Sequence, residues 1–114
     1  PLQTEFFALE GLTQLMKTID RIKNNLNPEL SIKGILLTMY DKRNKLSGEV
    51  EKEAREYFKE KVYRTVVPRN VRLSEAPSHG MPVLLYDKNC PGSKSYFNFT
   101  QEFLDQEKVM ESAA

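Results

Sequence analysis

Several features that mark whole classes of protein are missing from this sequence. Its 114 residues include one cysteine, one histidine and no tryptophan. A single cysteine excludes an internal disulfide and favours a reducing compartment. No apolar stretch approaches the ~20 residues that a membrane-spanning helix needs, and the first residues lack the basic and apolar regions of a signal peptide. We therefore expect a cytoplasmic protein with no membrane partner.

The chain also lacks a strong charge of either sign. Lys and Arg number 17 against 16 Asp and Glu, which leaves a formal net charge of +1. Such a balance gives no overall case for nucleic-acid binding, so any case must come from local clustering. The length fits one domain at most, because domains usually have ~100 to 200 residues, and we expect no internal boundary within residues 1–114. The first residue is Pro1, as expected after removal of an initiator Met or in a chain cut from a longer protein.

Hydrophobic periodicity predicts an α/β fold. Apolar residues at three- and four-residue steps indicate an amphipathic helix in the first part of the chain, and Pro28 follows its end. The next apolar run is unbroken, which is typical of a strand buried on both faces of a parallel sheet. The predicted elements are a helix at 5–26, a strand at 32–40, a helix from about 49 to 61 capped by Ser47, a strand at 62–67, a helical turn at 71–75, an extended segment at 82–86, and a helix from 93 or 94 to about 108.

Common motifs for metal and phosphate chemistry are absent. The sequence has no Gly-Lys-Ser/Thr phosphate loop, no Gly-x-Gly-x-x-Gly fingerprint, no cysteine pair and no histidine pair. Zinc and nucleotide-phosphate sites made by this chain alone are therefore not expected, and we predict no metal ligand. Cys90 and His79 are eleven residues apart, and nothing in that spacing brings them together as a nucleophile and its base. A surface thiol and a loop histidine are the simpler interpretation.

Polar and basic residues follow both predicted strands. Asp41 ends the first strand, where α/β proteins collect ligand-binding groups, and it is either a loop cap or a residue near a nucleotide base. A phosphoacceptor role for Asp41 would require acidic residues after an earlier strand, and no earlier strand is predicted. Loops after neighbouring parallel strands lie on one edge of the sheet, so their basic residues can form either a phosphate-binding patch or a solvated surface. Composition alone favours the solvated surface. The basic residues concerned are Lys42, Arg43, Lys45, Arg69 and Arg72.

One segment is far from generic loop composition. Pro-Arg-Asn-Val-Arg-Leu-Ser-Glu-Ala-Pro-Ser-His-Gly at 68–80 closely resembles the signature of the ParA/Soj chromosome- and plasmid-partitioning ATPases. Similar matches occur at Phe-Ala-Leu-Glu-Gly-Leu (7–12), at Gly-Ile-Leu-Leu-Thr-Met-Tyr-Asp (34–41) and at Pro-Val-Leu-Leu-Tyr-Asp (82–87). Their order and spacing agree with the family over nearly the whole chain. The resemblance implies a three-layer fragment of a P-loop NTPase (Rossmann-like) fold with a mostly parallel sheet.

The resemblance also implies site residues and partners. Similar proteins bind ATP and Mg, dimerise around two nucleotides, bind DNA without sequence preference at the nucleoid, and respond to a ParB-type partner. By the same resemblance, Thr38, Pro68, Arg69 and Asn70 correspond to residues beside the adenine. Arg43 and Arg72 correspond to the DNA-binding arginines.

Part of the family pattern has no counterpart in the chain. The Lys-Gly-Gly-x-Gly-Lys-Thr phosphate loop, the Mg-binding residues and the Asp-x-x-Pro switch are absent, so we expect the C-terminal half of a ParA-type ATPase that is inactive alone. The alternative is a naturally short, non-enzymatic DNA- or partner-binding module, and the upstream gene sequence distinguishes the two. The strand at 32–40 would have an unpaired edge in such a fragment, which predicts self-association of the isolated chain.

Overall fold

A computed structural model describes residues 1–113 of the chain. The described residues form three strands and five α-helices. These are β1 (Leu2–Gln3), α1 (Ala8–Asn25), β2 (Ile35–Tyr40), α2 (Lys45–Phe58), β3 (Val62–Pro68), α3 (Val71–Glu75), α4 (Val83–Tyr86) and α5 (Pro91–Ala113). Short 3₁₀ turns occupy Lys59–Lys61 and Ala76–His79. No helix within residues 1–113 has the length and apolar character to cross a membrane.

The three strands form one parallel sheet in the order β1-β2-β3. Leu2 pairs with Leu37 at the first strand pair, and Tyr40 pairs with Pro68 at the carboxyl end of the second. The register between β2 and β3 shifts twice: β3 has the extra residues between the pairs of Ile35 and Leu37, and β2 has the extra residue between Leu37 and Tyr40. Such irregularities bend a strand and leave some of its amides without a strand partner.

The core lies on both faces of this sheet. On one face, Ile35, Leu37, Ala54 and Val62 form a buried cluster that joins the sheet to α2. On the other face, Leu36, Tyr63 and Val67 pack against side chains of α3 and α5, namely Leu73, Tyr96, Phe99 and Phe103. Consecutive residues of β2 therefore point into opposite clusters, which explains why its apolar run is unbroken. The predicted three-layer α/β architecture with a parallel sheet is confirmed.

Three details of the element prediction are wrong. A strand does precede β2: β1 is only two residues long, and it makes β2 the central strand of the sheet. Because β1 pairs with β2, the unpaired edge expected on β2 is wrong, and Asp41 does follow an earlier strand, contrary to the reason given against a phosphoacceptor role. Segment 82–86 is not extended but forms α4, because the amides of Leu85 and Tyr86 both donate to the carbonyl of Pro82 at 3.0 Å. Helix α5 begins at Pro91, two residues before the predicted start.

The start of α2 also differs from the prediction. The helix begins at Lys45, and its cap is Asn44, whose Oδ1 accepts a hydrogen bond from the amide of Leu46 at 3.0 Å. Ser47 lies inside the first turn and is buried. Both residue types are good caps, so composition could not distinguish them. The position of Ser47 gives it a different role at the end of β2, described below.

Candidate functional site

The carboxyl ends of β2 and β3 meet at one edge of the sheet. The amide of Arg69 donates to the carbonyl of Tyr40 at 2.9 Å, which holds the two following loops side by side. An open groove of about 660 Å³ lies at this edge. Its lining includes Tyr40, Lys42, Arg43, Pro68, Arg69 and, from the first turn of α5, Pro91. Ligands of open parallel sheets bind outside this edge, so the groove is the candidate site.

A buried hydroxyl pair fixes the end of β2. The Oγ1 atom of Thr4 lies 3.0 Å from the carbonyl oxygen of Thr38 and 3.1 Å from that of Met39. The hydroxyl of Ser47 lies 3.4 Å from that of Thr4 and accepts a hydrogen bond from the amide of Asp41 at 3.2 Å. Met39 has a φ of +55°, a conformation that is uncommon for residues other than glycine. These bonds hold a strained backbone immediately before the candidate site.

Asp41 forms the turn that follows β2. Its Oδ1 accepts hydrogen bonds from the amide of Arg43 at 3.0 Å and from the Nε of Arg43 at 3.2 Å. These hydrogen bonds, first from the guanidinium and then from the amide, lower the pKa of the Asp41 carboxyl. These contacts are those of a loop cap, and Asp41 also lines the groove, so its role near a nucleotide base stays a prediction. Most of the Arg43 side chain, 89%, remains exposed despite this contact.

The loop after β3 carries two further groups. Arg69 forms an ion pair with Glu5, which follows β1, with Nη2 and Oε1 2.7 Å apart. Asn70 precedes α3, but its side chain makes no capping hydrogen bond. The Oδ1 atom of Asn70 is buried and has no hydrogen-bond partner among residues 1–113. Buried polar atoms are almost always paired, so this unpaired acceptor is unusual. Asn70 itself does not line the groove, whereas its neighbours Arg69 and Val71 do.

The predicted base-binding residues do not all share one surface. Pro68 and Arg69 line the groove, and Asn70 directly follows them. Thr38 is buried in β2, opposite Gln3 of β1, and does not line the groove. Its contribution is the carbonyl oxygen that accepts the bonds from Thr4.

The predicted DNA-binding arginines are also separate. Lys42, Arg43 and Arg69 line the same groove, whereas Arg72 does not. The guanidinium of Arg72 instead lies 3.0 Å from the carboxylate of Glu75 and 3.4 Å from that of Asp87. Within residues 1–113, no three His, Cys, Asp or Glu side chains are grouped so as to hold a metal ion.

Sequence reasoning missed the residues that shape this edge. Thr4 follows a strand of two residues, which is too short for any alternation to appear. Ser47 was recognised, but as a cap and not as the partner of Thr4. Glu5 is an acidic residue near the start of the chain, and no local pattern links it to the basic loop that contains Arg69. Its pairing with Arg69 depends on the parallel alignment of β1, which was not predicted.

A parallel α/β sheet whose carboxyl edge carries basic loops around a groove has the architecture of a nucleotide-binding domain. The family described as the CobQ/CobB/MinD/ParA nucleotide binding domain matches residues 3–83, and the chain belongs to this family.

Relatives within the family confirm the ParA/Soj resemblance. The chain is 57% identical to the chromosome partitioning protein ParA of Caulobacter vibrioides over its whole length, which is 43% of that protein. It is 54% identical to the chromosome-partitioning ATPase Soj of Treponema pallidum, with 91% of this chain and 41% of that protein aligned. It is 51% identical to the sporulation initiation inhibitor protein Soj of Bacillus subtilis, over 90% of this chain and 40% of that protein. The chain thus spans about two fifths of the length of these relatives.

Proposed function

We propose that this chain acts within a longer ParA-type ATPase that drives chromosome or plasmid segregation. In this proposal, the complete protein binds ATP and Mg, dimerises, binds DNA without sequence preference on the nucleoid and responds to a ParB-type partner. Residues 1–114 form its C-terminal half and supply the base-side and DNA-side contacts. The support is the family match together with two relatives named as chromosome-partitioning proteins. Phosphate binding, Mg coordination and hydrolysis belong to residues outside this chain.

One observation carries the base-binding part of the proposal: the unpaired, buried Oδ1 of Asn70. The exocyclic amine of adenine is a hydrogen-bond donor, so it would satisfy this acceptor once the Asn70 side chain turns toward the groove, because the atom is closed to solvent in the present conformation. Pro68 offers a rigid apolar surface on the same loop, suited to the face of a base. Leaving a buried acceptor unpaired costs free energy, and a base without a donor at this position would leave the Asn70 acceptor unpaired. Such a base should therefore bind more weakly than adenine. The residues present therefore fit the adenine end of ATP.

The groove supports the DNA-binding part. Lys42, Arg43 and Arg69 come from two different loops and line one surface. Flexible basic side chains on loops suit contacts to phosphate oxygens, which supply affinity without reading sequence. Because Arg43 is mostly exposed, it can reach a phosphate without rearrangement of the backbone.

The base-binding proposal predicts a change in nucleotide discrimination. ITP carries a carbonyl in place of the adenine amine, so it cannot donate to Asn70. The full-length protein should bind ATP more tightly than ITP, and Asn70→Ala should reduce that ratio by about 2- to 13-fold, the range expected from losing one neutral hydrogen bond. Equilibrium titration with both nucleotides measures the ratio. Asn98→Ala, at an exposed position of α5, is the control and should leave it unchanged. An unaltered ratio in the Asn70 variant would exclude the proposed contact.

The DNA-binding proposal predicts a change in salt dependence. Arg43→Ala and Arg72→Ala should each weaken binding of the ATP-loaded full-length protein to duplexes of different sequence alike. Each should also lower the slope of log K against log salt by about 1, because one phosphate contact is lost. Lys52→Ala, on an exposed position of α2 away from the groove, is the matched control. Equal slopes for all proteins would contradict the proposal, and tight DNA binding by this chain alone without ATP would favour the short non-enzymatic module.

A further inference from the structure

A cluster of charged groups surrounds Arg72 outside the groove. Arg72 Nη1 lies 3.0 Å from Oε2 of Glu75, one helical turn further along α3. Its Nε lies 3.4 Å from Oδ2 of Asp87, which directly follows α4. The hydroxyl of Tyr86 donates to the same Oε2 of Glu75 at 2.6 Å. The guanidinium is therefore shared between two carboxylates from different parts of the chain.

The second carboxylate is held in place independently of the arginine. The ring of Tyr86 stacks on that of His79, with centroids 4.8 Å apart and planes inclined by 25°. Together with its bond to Glu75, this stacking fixes the end of α4, so Asp87 is positioned beside Arg72 in advance. Oδ1 of Asp87 accepts a hydrogen bond from the amide of Asn89 at 3.2 Å, which orients the carboxylate further.

The net charge of this cluster determines how it interacts with a phosphate. One guanidinium and two carboxylates sum to −1, so the closed cluster repels a phosphate and does not attract it. Hydrogen bonds from Tyr86 and then Arg72 lower the pKa of Glu75, so this carboxylate is charged at neutral pH. By contrast, Arg43 and Arg69 each face a single carboxylate, from Asp41 and Glu5. Arg72 is the more strongly neutralised of the arginines predicted to contact DNA.

The contacts are weak enough to exchange. The Arg72 side chain is 50% exposed, and those of Glu75 and Asp87 are 35% and 33% exposed. Ion pairs at such positions are screened by solvent and contribute little free energy. A DNA phosphate, which accepts from a guanidinium in bidentate geometry, can therefore replace either carboxylate.

We propose that Glu75 and Asp87 determine the DNA affinity of the protein by competing with phosphate for the guanidinium of Arg72. This inference rests on the proposed DNA contact of Arg72. It assigns a role to two acidic residues that would otherwise be only surface partners of an arginine: they keep non-specific DNA binding weak enough to be reversible.

A double-mutant cycle in the ATP-loaded full-length protein tests this competition. Binding to a labelled duplex of random sequence is measured for the parent, Glu75→Gln, Arg72→Ala and the double variant. Glu75→Gln retains an oxygen that can accept from Tyr86. It should tighten binding by about twofold to fivefold, the range for releasing one exposed ion pair. The gain should disappear in the Arg72→Ala background. Asp87→Asn, which keeps the acceptor for Asn89, should behave in the same way.

A control separates competition from a general change in charge. Glu56→Gln removes one negative charge from an exposed position of α2 that has no ion pair within residues 1–113. If Glu75→Gln tightens binding no more than Glu56→Gln does, or weakens it, the competition is excluded. The proposed DNA contact of Arg72 is tested separately, by the effect of Arg72→Ala alone. If Arg72→Ala weakens binding while Glu75→Gln has no specific effect, only the competition fails. If Arg72→Ala changes nothing, the competition and the proposed DNA contact of Arg72 both fail, and Arg43→Ala alone then tests DNA binding at the groove.

Discussion

A single buried carboxylate joins α5 to the irregular part of β3. Glu102 accepts hydrogen bonds from the amides of Arg64 at 2.7 Å and Thr65 at 2.9 Å, and from the Thr65 hydroxyl at 2.8 Å. The two amides are adjacent in the chain and lie in the segment where β3 leaves its register with β2. Glu102 thus supplies acceptors for two amides of this irregular segment.

The pKa of Glu102 predicts how stability depends on pH. Burial alone would raise this pKa, but the hydrogen bonds from Thr65 and Arg64 outweigh burial and hold it below the ordinary value. Because the folded-state pKa lies below the unfolded-state pKa, the stabilising contribution is present above about pH 4.3 and is lost as the pH falls through the folded-state pKa. Urea unfolding at a series of acidic pH values should show this loss.

Glu102→Gln tests the carboxylate directly. The amide places a donor opposite a backbone N–H, so at pH 7 we expect the free energy of unfolding to fall by about 1 to 3 kcal/mol, the cost of leaving a buried group unsatisfied. The variant should also lack the acid-dependent loss described above. Glu49→Gln, at an exposed position of α2, should match the parent in both measurements. Equal stability of the two variants would show that the hydrogen bonds to β3 contribute nothing net.

At the residue scale, the sequence indicated where some residues lie but not which residues they contact. Pro68, Arg69 and Asn70 were assigned to one exposed loop after a strand, but Pro68 is the last residue of β3 and pairs with Tyr40, and only Arg69 is exposed. In the sequence, Glu102 is indistinguishable from other acidic residues on a helix, because its neighbours do not indicate that β3 has amides without a strand partner. The Thr4 and Ser47 pair is equally hidden, since residues 43 positions apart meet only through the sheet.

At the scale of elements, long periodic segments were predictable and short ones were not. Helix α1 and strands β2 and β3 have patterns that extend over several residues, and all three were predicted. Helix α4 has only four residues, Val-Leu-Leu-Tyr, which are equally compatible with a strand. The local hydrogen bonds to the Pro82 carbonyl form the helical turn, and the stacking of Tyr86 on His79 is a contact with another part of the chain that the local pattern does not reveal.

The junction of α3 and α5 yields a prediction about their packing. A Cβ atom added at Gly92, in the first turn of α5, would lie 2.6 Å from Cγ of Leu73 in α3. Alanine is favoured over glycine by about 1 kcal/mol inside a helix, but overpacking typically costs about 1 to 3 kcal/mol. We expect Gly92→Ala to destabilise the chain on balance. It should also weaken ATP binding by the full-length protein, because a shift of Leu73 would move α3 and with it Asn70, the residue directly before this helix. Urea unfolding and nucleotide titration measure the two effects.

Two other helical glycines provide the control for this prediction. A Cβ added at Gly11 in α1 or at Gly48 in α2 meets no atom within 4 Å. Alanine there should stabilise the chain by about 0.5 to 1 kcal/mol, because only the propensity term applies. A stabilising effect at all three positions would mean that Leu73 moves aside without cost.

The molecule as a whole is less compact than its length allows. Its radius of gyration is 15.8 Å, whereas a compact domain of about this size has about 13 Å. Part of the difference lies at α1, where a cavity of about 250 Å³ separates the helix from the sheet. Large apolar side chains near β1 and α1 are exposed, among them Phe6, Phe7 and Leu26. Other exposed apolar side chains, such as Leu85 and Val109, lie elsewhere on the molecule. Because Glu102 already binds two amides of β3, we take the β1 side as the route for association.

This asymmetry changes the surface through which self-association is expected. We still predict that the isolated chain associates, but through β1 and the exposed side of α1 and not through an edge of β2. Leu15, which is 53% exposed on α1, should be buried in the associated form, whereas Leu104, which is 48% exposed on α5, should not. Burying the exposed half of one leucine contributes about 0.8 to 1.6 kcal/mol, so Leu15→Lys should weaken association by about fourfold to fifteenfold and Leu104→Lys should have little effect. Sedimentation velocity over a wide concentration range measures both. A stable monomer throughout would exclude association, and equal effects of the two substitutions would exclude the β1 side as its route.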